Sequence, residues 1–207
     1  MKKHILIFLL IIMNYSCKAQ QQPVLRTLSF QDTFNDDFYF EKGDYVKDMY
    51  NQLDPYVGTW KYEGNGKTFI LKIQKVPMFY DVLSKIYKDK LLVTYKYIKN
   101  GTVIIDNLSA PVITSFENLS DIEGKKYGTF SLISFMNEIF LSGSIKDIPL
   151  NITTNAEIHP VNFGVLGETP RIKIYYNGLN SFKGNPASFY VGKPTFEIPN
   201  KVELIKQ

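Results

Sequence analysis

The segment KLLVTYKYIKNGTVIID, residues 90–106, sets Leu91, Val93, Tyr95 and Tyr97 at every second position. It turns at Asn100-Gly101 and resumes with Val103 and Ile105. Alternation of period two sends successive side chains to opposite faces, the pattern of a strand with one buried face. Asn-Gly accepts the positive φ of a two-residue hairpin turn. LDPYVGTWKYEGNGKTFILKIQKV, residues 53–76, repeats the plan. Trp60 and Tyr62 share a face, EGNGKT makes the corner, and Phe69, Leu71 and Ile73 continue opposite Thr68, Lys72 and Gln74. Backbone groups in such runs are satisfied only by pairing edge to edge, so the chain must build a sheet.

The same signal continues in PVITSF, YGTFSLISF, EIFLSGSI, NITTNAEIH, PRIKIYY, ASFYV and KVELIKQ, with Met136-Asn137 as one turn and Ile172, Ile174 and Tyr176 alternating cleanly. Nine to eleven closely spaced strands predict an all-β fold, an antiparallel barrel or barrel-like sandwich. No internal period of 20 to 50 residues suggests a propeller or solenoid. Two segments compete with this pattern. VKDMYNQLDPY predicts a helical turn or two, with Asp48 as N-cap and Pro55 limiting its length. PMFYDVLSKIYKDK places Phe79, Val82, Leu83 and Ile86 at helical spacing, as a helix or a loop.

The chain opens MKKHILIFLLIIMNYSCKAQ. Two lysines, nine apolar residues from Ile5 to Met13 and small residues after them form an export signal, too short to span a bilayer. Cys17, the only cysteine, follows Ser16 just past the apolar run. That placement resembles the lipobox of bacterial lipoproteins, which implies a lipidated Cys17 at the start of the mature chain. Cleavage after Ala19 is the alternative, leaving a soluble periplasmic or secreted protein. The expected organisation is a signal over 1–16, a tether and lead-in over 17–44, and one β-rich domain over 45–207. The acidic stretch SFQDTFNDDFYFEKGD, with Asp32, Asp36, Asp37, Glu41 and Asp44, lacks the spacing of a calcium loop and reads as solvated.

Several chemistries find no support. With 24 basic and 20 acidic side chains, and the lysines scattered, there is no nucleic-acid footprint. GNGKT lacks the earlier glycine of a phosphate loop, since Lys61 stands there, and a strand follows it. His4 lies in the signal, which leaves His159 alone, too few ligands for the common zinc sites. Glu63, Glu138, Glu157 and Asp106 read as outward polar positions. No catalytic residue, metal site or cofactor is expected.

The YVGTW run resembles the Gly-x-Trp first strand of lipocalins and fatty-acid-binding proteins. The resemblance implies a calycin-like barrel closed at its base by Trp60 beside Gly58, with Arg171 of a late strand as the cation on the indole. Tyr62, Tyr95 and Tyr97 then either line a ligand pocket or pack the core. Across its length, from SCKAQ through YVKDMYNQLDPYVGTW and GKTFILKIQK to IPNKVELIKQ, the chain resembles a Bacteroidetes family of exported proteins known as domain of unknown function 6705. That family carries over no site residue. The expected function is non-enzymatic: an outer-membrane or periplasmic lipoprotein, membrane-bound through Cys17, that binds a small apolar ligand or an envelope protein. The alternatives are a structural or adhesive module with a filled core, and a glycan- or lipid-directed hydrolase.

Overall fold

The structure is a computed structural model that describes residues 23–34, 38–116, 128–135, 138–176 and 197–207. Its strands are β1 (Thr27–Ser29), β2 (Tyr45–Lys47), β3 (Gly58–Gly64), β4 (Lys67–Asp81), β5 (Ile86–Lys99), β6 (Thr102–Asp106), β7 (Gly128–Phe135), β8 (Glu138–Asp147), β9 (Ile152–Pro160), β10 (Arg171–Tyr176) and β11 (Val202–Lys206). Single 3-10 turns occupy Gln31–Phe34 and Asp54–Tyr56, and no α-helix occurs among the described residues.

Eight strands form a closed antiparallel barrel in the order β5-β4-β3-β11-β10-β9-β8-β7, with β7 returning to β5. The chain runs up and down around it. The starts of β3, β5, β8 and β10 therefore share one end with the finishes of β4, β7, β9 and β11. We call this the Trp60 end, and the opposite one the Asp147 end. Closure depends on β5. One of its edges pairs with β4 along most of its length. The other edge is shared by three partners in succession: β2 at Tyr87 and Lys88, β7 at Leu91 to Val93, and β6 at Lys96 to Lys99. The second seam joins Ile205 and Lys206 of β11 to Lys61 and Trp60 of β3.

The alternation read from the sequence decides what lies inside. Leu91, Val93, Tyr95 and Tyr97 of β5 face the core, as do Phe69, Leu71 and Ile73 of β4 and Ile172, Ile174 and Tyr176 of β10. Both hairpin corners form as expected: Asn65-Gly66 and Asn100-Gly101 all have positive φ, and the Asn100 N–H donates to the Gly66 carbonyl at 2.7 Å. The two tips therefore stand side by side. A smaller core lies outside the barrel, where Val76, Phe79 and Leu92 meet Phe116.

Four expectations are corrected. Residues 77–90 are the tip of the β4–β5 hairpin, not a helix. Pro77 supplies no N–H at a bulge between Val76 and Phe79, and Lys85 takes a positive φ. The Asp81 carboxylate accepts the Leu83 and Ser84 N–H groups and ties the turn. VKDMYNQLDPY starts as β2, and its helical part is the single 3-10 turn Asp54–Tyr56. Asp48 accepts from the N–H groups of Gln52 and Leu53 at 2.7 and 3.0 Å, so its capping serves a turn and not a helix. PVITSF is a loop, not a strand, running beside the end of β4 with one parallel bridge between Tyr80 and Ser115. Within the lead-in, β1 already pairs with β2. Asp44 is not solvated: it is fully buried and held by Arg26 at 2.7 and 2.9 Å. Cys17, Asp36, Asp37, Met136-Asn137 and ASFYV lie outside the described residues, although β7 and β8 pair as far as Phe135 and Glu138.

Gly143 shows how closely β7 and β8 approach. A Cβ there would meet the Thr129 carbonyl oxygen and lie 2.8 Å from the Phe130 Cα, both backbone atoms with no freedom to give. Gly143→Ala is expected to cost roughly 2–4 kcal/mol, read as a fall in the urea midpoint, since overpacking against backbone cannot relax by side-chain rotation.

Candidate functional site

The first group of residues closes the Trp60 end. Trp60 is completely buried at the start of β3, and its indole N–H donates to the Tyr56 carbonyl at 2.7 Å. Phe163, from the β9–β10 loop, stacks on the indole with centroids 6.0 Å apart and meets Tyr56 edge-on at 4.9 Å. Burial pushes the Tyr56 phenol up to about 12. The cation over the indole is Lys206, its ammonium 5.2 Å from the ring and donating to the Pro55 carbonyl at 3.1 Å. Gly58 has φ of 137°, and a Cβ there would lie 3.0 Å from the Lys206 Cε, so glycine lets the lysine stem pass the start of β3.

Arg171 therefore does not brace Trp60. Its guanidinium lies outside the barrel, bonded to Glu203 at 2.8 Å and Glu168 at 3.2 Å. The reason is parity. Ile172, Ile174 and Tyr176 face inward, so Arg171 must face out, whereas Lys206 follows the inward Leu204 by two positions. Phe163 had no such signal, because loop residues follow no period.

The second group consists of the three tyrosines proposed for a pocket. Tyr62, Phe69 and Tyr97 lie in register across β3, β4 and β5. The Phe69 ring contacts Tyr95 at 5.6 Å and Tyr97 at 6.5 Å between centroids. Tyr62 is half-buried, while Phe69 and Tyr97 have no accessible surface and Tyr95 has 1%. The Tyr95 hydroxyl donates to the Lys146 carbonyl and accepts the Ile148 N–H, both at 2.9 Å. The Tyr97 hydroxyl has no partner among the described residues. Burial raises the Tyr95 phenol well above its ordinary range and pushes the Tyr97 phenol up as well.

Asp147 lies near these hydroxyls, at the inward-facing finish of β8. It is fully buried, and burial pushes its carboxyl above the usual carboxylate range. Three backbone N–H groups oppose that rise: Leu150 at 3.1 Å, Glu197 at 2.7 Å and Ile198 at 3.4 Å. Glu197 is itself paired with Lys99 at 2.7 Å. Asp147 and Glu197 are neighbouring acids, but the first is sealed from solvent and the second is held by a cation. A hydrolase needs both acids facing a substrate.

A third group of buried acids ties the N-terminal strands to β5. Asp89 accepts from the Tyr45 hydroxyl at 2.7 Å and from the N–H groups of Asp48 and Met78 at 2.9 and 3.0 Å. Asp48 also holds Lys75 at 2.7 Å. Among the described residues no cluster of His, Cys, Asp or Glu is arranged to hold a metal ion. His159 is stacked on Phe140, with centroids 4.4 Å apart, on the outer face of β8 and β9.

Comparison with known proteins gives one match. The model of the family of unknown function DUF6705 matches residues 1–207. No curated protein and no solved structure matches the chain.

The closure predicts an order of effects in thermal or urea unfolding. Trp60→Ala should cost about 3–5 kcal/mol. Lys206→Ala should cost about 1 kcal/mol, and Arg171→Ala should leave stability unchanged, as exposed ion pairs generally do. Asp147 predicts a pH dependence. Its carboxyl is raised in the folded state, so its contribution is fully present below the unfolded value and is lost as pH rises through the folded one. Wild type should therefore lose stability relative to Asp147→Asn as pH climbs out of the acidic range. Paired unfolding curves at a series of pH values measure this.

Proposed function

We propose that this chain, which belongs to the family of unknown function DUF6705, is a non-enzymatic envelope lipoprotein with a solid barrel that works through its outer surface. The observation that carries this reading is the state of the inward side chains. A cavity able to take even a small apolar ligand runs to hundreds of cubic ångströms, and the side chains lining it keep surface that a water-sized sphere can touch. Trp60, Phe69, Leu71, Leu91, Val93, Tyr97, Leu141, Ile145, Ile158, Ile172, Ile174 and Leu204 have none. These residues come from every barrel strand except β7, whose Phe130 is 1% exposed. Eight strands enclose a space that aliphatic and aromatic side chains can fill by themselves. Between a carrier of an apolar molecule and a module with a filled core, this packing favours the module.

The tether belongs to the same proposal. Cys17 after Ser16, just beyond the apolar run, supports acylation, and each buried methylene of an acyl chain contributes ~0.8 kcal/mol of anchoring.

Two measurements test the proposal. Native mass spectrometry of gently extracted protein should give the polypeptide and its acyl groups with no further small molecule; a stoichiometric apolar ligand would refute the solid barrel. Metabolic labelling with a fatty-acid probe should be lost in Cys17→Ala, and undiminished labelling would remove the anchor.

A further inference from the structure

We propose that Lys88 is a nucleophilic amine that captures small apolar aldehydes as imines. It stands on the part of β5 that β2 covers, paired in the ladders with Val46 of β2 and Phe79 of β4. Alternation puts Lys88 and Lys90 on one face of the strand, opposite Asp89 and Leu91. Lys88 is half-buried, and its ammonium lies 4.5 Å from the centre of the Phe40 ring, which Phe38 meets edge-on at 5.0 Å.

The acids around this amine are already engaged. Asp81 of β4 pairs with Lys90 at 3.1 Å and accepts the Leu83 and Ser84 N–H groups at 3.1 and 3.3 Å. On the opposite face Asp89 accepts from the Tyr45 hydroxyl and from two N–H groups. In the lead-in, Asp44 and Glu41 are both paired with Arg26. Among the described residues no carboxylate lies within ion-pair distance of Lys88. The other charged groups nearby are cations: Lys90 on the same face, Lys47 beside Val46 on β2 and Lys42 in the lead-in. A lysine that loses water beside a like charge shifts toward its neutral form, which is the nucleophile. Burial first, and then Lys90, hold the Lys88 amine below the ordinary lysine range against the pull of Asp81. Lys75, although burial opposes it, moves the other way because Asp48 and Asp54 face it.

The chemistry needs no oxidant or reductant. The neutral nitrogen adds to the carbonyl carbon, its proton passes to the oxygen, and loss of water leaves a C=N bond. The Phe40 ring, 41% exposed, offers apolar surface to the hydrocarbon part of the aldehyde.

The test uses the chain from residue 17 onward carrying Cys17→Ala, which retains every described residue. It is treated at neutral pH with substoichiometric benzaldehyde and cyanoborohydride, which reduces each imine to a stable secondary amine, and the label on each lysine is followed by peptide mass spectrometry. Lys88 should be labelled roughly fivefold or more faster than the exposed Lys42, Lys47 and Lys85, and its rate should level off at a lower pH than theirs. Lys90→Gln removes the like charge and releases Asp81, so labelling of Lys88 should fall roughly threefold or more, whereas Lys90→Arg should retain it. Unchanged melting temperatures establish that both variants fold, and the comparison among lysines of the Cys17→Ala chain requires neither of them. Lys88 labelled no faster than the exposed lysines, or at a rate that Lys90→Gln leaves unchanged, would overturn the proposal.

Discussion

A half-buried strand that pairs on one edge leaves the other edge's N–H and C=O groups open, and this chain resolves that by closing on itself. The β5 strand carries the burden. At fourteen residues it is longer than its barrel partner β7, and its second edge is divided among β2, β7 and β6. Only three of its residues pair with β7. The opposite seam is equally short, Ile205 and Lys206 against Lys61 and Trp60, continued by the Gln207 N–H on the Thr59 carbonyl at 2.9 Å. Few ladder bonds hold either seam. The interior side chains on both sides must therefore supply most of the force that keeps the sheet closed.

That force accounts for the composition of the core. Phe69, Tyr95 and Tyr97 fill the middle and the Asp147 end, and Trp60 with Tyr56 and Phe163 fills the other. Most of the polar groups admitted have partners, the Tyr97 hydroxyl being an exception among the described residues. The indole N–H meets a carbonyl, the Tyr95 hydroxyl both donates and accepts, and Asp147 draws in three N–H groups. Asp44, Asp48 and Asp89 do the same on the projecting part of β5, where they bind β1 and β2 to it. A barrel filled in this way has little interior left for a ligand.

Much of this was legible in the chain because period-two alternation is local. The hairpins at Asn65-Gly66 and Asn100-Gly101, the inward sets of β4, β5 and β10, and the buried Trp60 all follow from neighbouring residues. Parity also held information that a family resemblance obscured: Ile172 and Ile174 facing inward already turn Arg171 outward, and Leu204 aims Lys206 at the indole. What could not be read depends on distant segments. Asp44 looks solvated until Arg26 reaches it from eighteen residues away, and Asp89 looks like an ordinary strand acid until β2 covers it. The helical spacing of Phe79, Val82, Leu83 and Ile86 was overruled by Pro77 and by pairing with β5, which place Phe79 and Ile86 in cores and Leu83 in solvent.

The closed barrel is tested most directly by amide hydrogen exchange resolved by residue. Closure predicts that the ladder amides at the two seams, between Leu91–Val93 and Gly128–Phe130 and between Trp60–Lys61 and Ile205–Lys206, exchange as slowly as those between β4 and β5. Seam amides exchanging at the rate of solvent-exposed strand edges, while β4 and β5 stay protected, would show an open sheet and contradict the account.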